Sequence, residues 1–125
     1  MAEVAVCVVG LTWGCWKCHE STVCVLGLTS ERLRDYKTGD QAVEVAKCLL
    51  VAADKVDIAD CLAPSVNGIA SHCAACGAVQ DNFDLHREAR ERYYWDDDDA
   101  AYEVPADGSV DCAVWREIEI GEFPW

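Results

Sequence analysis

Residues 4–9, Val-Ala-Val-Cys-Val-Val, are apolar without a break and mostly β-branched, and Gly10 closes the run. That pattern predicts a strand covered on both faces. Residues 22–28, Thr-Val-Cys-Val-Leu-Gly-Leu, predict a second strand, which would pair with the first as a hairpin around cysteines 15 and 18. Between Gly39 and Ala53 the apolar spacing changes to a helical one. Ala42, Val43, Ala46, Leu49, Leu50 and Ala53 share a face, Glu44 and Lys47 lie off it, and Asp40 is placed to act as N-cap. Pro64, Asn67 and Gly68 mark a loop before a short strand at 69–72. Residues 83–95, FDLHREARERYYW, are rich in helix formers and carry Glu88 and Arg92 four apart, which predicts a second helix. From 110 to 120 the spacing returns to two, with Val110, Cys112, Val114, Arg116, Ile118 and Ile120 on one side and Asp111, Trp115, Glu117 and Glu119 mostly on the other. This predicts a strand with an acidic outer face.

These elements fit one α+β domain over 1–125: a small antiparallel, zinc-ribbon-like sheet with an inserted helix, a second helix and an acidic, β-rich C-terminal part. Charge divides the chain further. The formal charge of −13 comes from 23 acidic against 10 basic residues. Residues 1–95 hold 13 acidic and 9 basic side chains, whereas 96–125 hold 10 acidic and one basic, Arg116. Asp96, Asp97, Asp98 and Asp99 open that segment, and four successive like charges repel unless solvated or faced by a cation. A chain of this sign gains nothing from neutralising phosphates, so direct binding to nucleic acid is excluded, as is docking on an anionic membrane. The apolar stretches are short, interrupted by glycine and cysteine, and lack a basic leader, so neither signal peptide nor membrane span is expected and the cytoplasm is the expected compartment.

That compartment bears on the nine cysteines. In a reducing cytosol an odd set of thiols points to metal binding before disulfides. Cys15-Trp16-Lys17-Cys18 and Cys73-Ala74-Ala75-Cys76 form two C-x-x-C pairs separated by 54 residues. Together they offer the four thiolates of a tetrahedral Zn²⁺ site, and Gly77 suits the turn that aims backbone N–H groups at the sulfurs. The helix at 40–53 would then be an insertion between two zinc knuckles. A thioredoxin-like thiol site is the competing reading; it would use one pair and leave the other idle. His19 and His72 abut the pairs and are the alternatives for a ligand position, while His86 reads as a packing or surface residue. Cys7, Cys24, Cys48, Cys61 and Cys112 lie in apolar patterns and are expected to pack in the core.

The stretches CWKCHESTVCVLGL at 15–28 and SHCAACGAVQDNFDLH at 71–86, 30 residues together, resemble small uncharacterised bacterial zinc-ribbon proteins. Those carry a CWKC pair followed by a T-x-V strand and later an HCxxCGAxQGDxxLH segment. The resemblance implies that Cys15, Cys18, Cys73 and Cys76 are structural zinc ligands. It departs at Asp81-Asn82-Phe83-Asp84, where the family has Gly-Asp followed by two bulky residues, and it does not reach the acidic segment.

No Ser-His-Asp order, phosphate loop or H-E-x-x-H motif is present, and His19-Glu20 lacks the spacing of a deaminase H-x-E. Four thiolates also close a zinc ion to water, so no enzyme activity is expected. What remains is binding. Asp96, Asp97, Asp98, Asp99, Glu103, Glu117, Glu119 and Glu122, amid a high density of aromatic residues, form a candidate surface for a protein partner with a basic face. Such a surface could imitate nucleic acid and inhibit a nucleic-acid-handling partner, an analogy of size and charge with phage anti-defence proteins, anti-CRISPR proteins included. A zinc-ribbon adaptor or subunit without mimicry is the alternative.

Overall fold

The computed structural model describes residues 2–30, 35–66, 68–95, 104 and 106–118. Its elements run β1 (Glu3–Gly14), β2 (Ser21–Ser30), β3 (Asp35–Thr38), α1 (Asp40–Ala52), α2 (Val56–Asp60), β4 (Leu62–Ser65), β5 (Gly68–Ser71), α3 (Asn82–Trp95), β6 (Asp107–Asp111) and α4 (Cys112–Glu117). The fold is α+β. A four-stranded antiparallel sheet has the order β3-β2-β1-β6, and β4 and β5 form a separate hairpin.

The β1–β2 hairpin follows the apolar pattern, with the first cysteine pair at its tip, and it extends past the predicted ends in both directions. Its register shifts between Val9 and Gly10, where Val9 faces Gly27 and Gly10 faces Val25, leaving Leu26 as the extra residue of a bulge. The shift lets both faces of the sheet carry a core. On one face Val4, Val6, Val8, Val25 and Leu28 pack with Ala42, Val43, Ala46 and Leu50 of α1 and with Trp115 and Ile118. On the other, Val9, Leu11, Cys24 and Leu26 pack with Leu85 and Ala89 of α3. Double coverage therefore holds from Val8 to Leu11, while residues 3–6 alternate exposed and buried.

Three sequence expectations need correction. The predicted strand at 110–120 is a strand only to Asp111, whose carboxylate then accepts the Ala113 N–H at 2.8 Å and caps α4. The C-terminal part among the described residues is thus one short strand and one short helix. The turn carries Trp115 from the expected outer face into the core, where it is 1% exposed and lies under the Lys37 ammonium, 5.4 Å from the ring centroid. Asp40 does not cap α1: Gly39 occupies the N-cap with φ of 100°, and the Asp40 carboxylate instead accepts the Ile69 N–H at 3.0 Å, tying the helix start to β5. Of the five cysteines expected in the core, Cys24 is buried and Cys7, Cys61 and Cys112 are half-buried, but Cys48 is exposed. It lies one turn beyond Glu44, on the side of α1 turned from Ala42, Ala46 and Leu50.

Candidate metal centre

The first knuckle is the tip of the β1–β2 hairpin. Its ends are joined by the Cys15 N–H to the Glu20 carbonyl at 2.9 Å, and the chain turns through His19, whose N–H donates to the Cys15 carbonyl at 3.0 Å. The second knuckle follows β5 with the same hydrogen bonds. The Cys73 N–H donates to the Ala78 carbonyl at 2.8 Å, and the Gly77 N–H to the Cys73 carbonyl at 2.8 Å. In both, the residue after the second cysteine is left-handed, with φ of 64° at His19 and 77° at Gly77. That conformation is what Gly77 serves; its counterpart at the first knuckle is a histidine, which adopts it at a conformational cost.

These turns aim N–H groups at sulfur. Lys17 and Cys18 donate to Cys15 Sγ at 3.4 and 3.5 Å, and Ala75 donates to Cys73 Sγ at 3.4 Å. Further contacts hold the knuckles against one another. Trp16 Nε1 donates to the Val79 carbonyl at 2.7 Å, the Ala74 N–H to Thr22 Oγ1 at 3.4 Å, and the Val25 N–H to Ser71 Oγ at 3.1 Å. His72 bridges to Val79 across the base of the second knuckle.

The result is one cluster. Cys15, Cys18, Cys73 and Cys76 place their sulfurs within 4.8 Å of one another, with Cys15 and Cys73 buried, Cys18 half-buried and Cys76 exposed. Two of the contacts cross between knuckles: Cys15 to Cys76 and Cys18 to Cys73, each at 3.6 Å. Four sulfurs tetrahedrally bound at about 2.3 Å from a zinc ion stand roughly 3.8 Å apart, so the arrangement is close to that of a ligand set. These four cysteines lie near enough to bind one metal ion.

The electrostatics point the same way. The Cys18 N–H, assisted by the Lys17 N–H and the Gln80 amide against the effect of burial, lowers the Cys15 thiol to about 6. The Cys76 N–H likewise leads the lowering of Cys73. At Cys18 the Glu20 N–H acts to lower the thiol, but burial and the sulfurs of Cys73, Cys76 and Cys15 push it up to about 12. A divalent ion at the centre of the cluster would set positive charge against the sulfurs of Cys15, Cys18 and Cys73 and favour their thiolate forms.

All four predicted metal residues are brought together, and neither adjacent histidine joins them. His19 is exposed, and His72 directs Nδ1 to the Gly77 carbonyl at 3.3 Å. Glu20 is exposed and contributes its backbone carbonyl to the first knuckle. Burial lowers the His86 imidazole to about 4, so the ring expected to pack or lie at the surface is a packing residue. The residue that sequence reasoning missed is Gln80. It is fully buried, its backbone N–H donates to the Ser71 carbonyl, and its Nε2 reaches both Cys15 Sγ at 3.5 Å and the Ala78 carbonyl at 2.9 Å. A polar side chain four residues past a knuckle cysteine was the only signal in the sequence, and the sulfur it serves lies 65 residues away, so its partner was not legible there.

Among the predicted partner-binding residues, Glu117 is exposed on α4 and shares a shallow groove with Glu44 and Cys48 of α1. Asp96, Asp97, Asp98, Asp99, Glu103, Glu119 and Glu122 lie outside the described residues. Among the described residues no helix is long and apolar enough to cross a membrane. The chain matches no protein-family model, no curated protein and no solved structure.

Proposed function

We propose that the protein is a zinc-stabilised, non-catalytic binding protein whose partner is a protein with a basic surface. The observation that carries the metal-binding part of the reading is the clustering of four cysteine sulfurs, two pairs at 3.6 Å and all within 4.8 Å of one another. Thiolates favour zinc over harder cations, and four of them leave no position for a water to be activated, so the ion's role is to close the fold. It would join the hairpin tip to a segment 54 residues away in sequence, and its binding energy would be largely folding energy.

The partner's sign follows from the charge of −13, of which −9 lies in residues 96–125. In the finer form of the proposal, Asp96 to Asp99 and the neighbouring glutamates imitate spaced phosphates and occupy the nucleic-acid surface of that partner, in the manner of a phage anti-defence inhibitor. One structural feature favours the adaptor reading beside it. Trp16, inside the first knuckle, is 63% exposed and is pre-oriented by its indole hydrogen bond to Val79. A rigid aromatic of this kind anchors interfaces whose affinity depends little on salt.

The two forms separate in a binding assay on a partner captured from the native host. Replacing Asp96, Asp97, Asp98 and Asp99 by asparagine should slow association, and binding by the parent should weaken from low to physiological salt, if mimicry holds. Trp16→Ala should abolish binding, with the asparagine variant and added salt having no effect, if the chain is an adaptor. Measurable turnover lost on substitution of Glu20 or His72 would overturn both.

A further inference from the structure

We propose, resting on the zinc reading above, that peroxide converts the metal centre into two disulfides across the knuckles, Cys15–Cys76 and Cys18–Cys73, which keep the fold closed after the ion leaves. The pairing rests on the two sulfur–sulfur contacts that cross between the knuckles and on the link each would make between segments distant in the chain. Both pairs stand at 3.6 Å across the cluster, and an approach of about 1.5 Å would bring either to disulfide length. Within the first knuckle, the Lys17 and Cys18 N–H groups hold the Cys15 sulfur, while Trp16 to Val79, Ala74 to Thr22 and Gln80 to Cys15 keep the two knuckles apposed. Cys76 is the exposed member and so the point of entry for an oxidant. The buried Cys24, whose thiol burial pushes up to about 12, stays protonated and does not compete.

The chemistry balances with a hydroperoxide as oxidant. The Cys76 sulfur attacks a peroxide oxygen; an S–O bond forms, the O–O bond breaks and hydroxide leaves. The Cys15 thiolate then attacks the resulting sulfenic sulfur, the S–S bond forms and a second hydroxide departs. A second peroxide does the same for Cys18 and Cys73. Four thiolates lose four electrons, two peroxides become four hydroxides, and Zn²⁺ is released. Disulfides within each knuckle would balance equally but would leave the hairpin tip and the second knuckle unlinked.

The test uses the full-length zinc-loaded protein treated with two equivalents of hydrogen peroxide. Zinc release is followed with a chromogenic chelator, free thiols are alkylated, and the product is digested with trypsin without reduction. Lys17 lies between Cys15 and Cys18, so cleavage there puts the two on separate peptides. Each should be found joined to the peptide bearing Cys73 and Cys76, with fragmentation between Ala74 and Ala75 giving the Cys15–Cys76 and Cys18–Cys73 pairs. The oxidised protein should retain its cooperative thermal transition, whereas reduced protein stripped by chelator should lose it. A Cys15–Cys18 linkage, a random mixture of pairings, or loss of the transition on oxidation would overturn the proposal. Zinc content before peroxide reports separately on the metal reading, because protein isolated without zinc would refute that reading while the linkage map still decided the pairing.

Discussion

Gly77→Ala isolates the conformational demand of the second knuckle. A Cβ at Gly77 would meet nothing within 4 Å, so the substitution introduces no clash. What it introduces is an L-residue at φ of 77°, which costs about 1 to 2 kcal/mol relative to the right-handed region. Part is offset because alanine also loses about 0.4 to 1 kcal/mol less entropy on folding. The net is a loss of roughly 1 kcal/mol, and with folding and zinc binding coupled as proposed, it should appear as zinc affinity weakened about fivefold. His19→Gly makes the reverse change at the matching position of the first knuckle, where φ is 64°, and should strengthen affinity by a factor of similar size. Gly14→Ala is the control, because its Cβ also meets nothing within 4 Å and its backbone is extended strand. Zinc affinity by competition with a chromogenic chelator, together with thermal melts, measures all three. Gly77→Ala indistinguishable from Gly14→Ala, or a destabilising His19→Gly, would refute the matched-knuckle geometry.

Two further outcomes follow from the same structure. Cys73→Ser should strip the protein of zinc and its cooperative melt, whereas Cys48→Ser, on the exposed side of α1, should change stability by less than about 0.5 kcal/mol; equal effects on melting temperature would contradict the ligand assignment. Burial holds the His86 imidazole at about 4, below its ordinary value near 6.5, so the fold prefers the neutral ring. Its contribution is complete above pH 6.5 and is lost as the pH falls toward 4, and His86→Gln should flatten that part of a melting-temperature profile. A profile with the same slope in both proteins would show that His86 does not carry it.

The parts of this fold that were legible in the sequence are those with a long or duplicated signal. The β1–β2 hairpin is written in a β-branched run, α1 and α3 in more than three turns of helix-forming sequence, and the metal centre in two identical cysteine spacings. The short elements were not legible. The five residues of α2 and the six of α4 are too few to show a helical period, and in α4 the alternation of Val110, Cys112 and Val114 imitates a strand. Asp111 and Asp40 are both good N-cap residues, but tertiary contacts decide their use: Asp111 caps α4, while Asp40 is drawn to the Ile69 N–H. The bulge at Leu26 and the turn of Gln80 toward Cys15 likewise depend on partners distant in the chain.

Elemental analysis of freshly purified, reduced protein tests most directly whether one zinc ion holds the two knuckles together. Paired with titration of accessible thiols before and after chelation, the measurement should give close to one zinc per chain and four thiols that become reactive only when the ion is removed. Protein that is folded, reduced and free of metal, with Cys15, Cys18, Cys73 and Cys76 already open to titration, would contradict it.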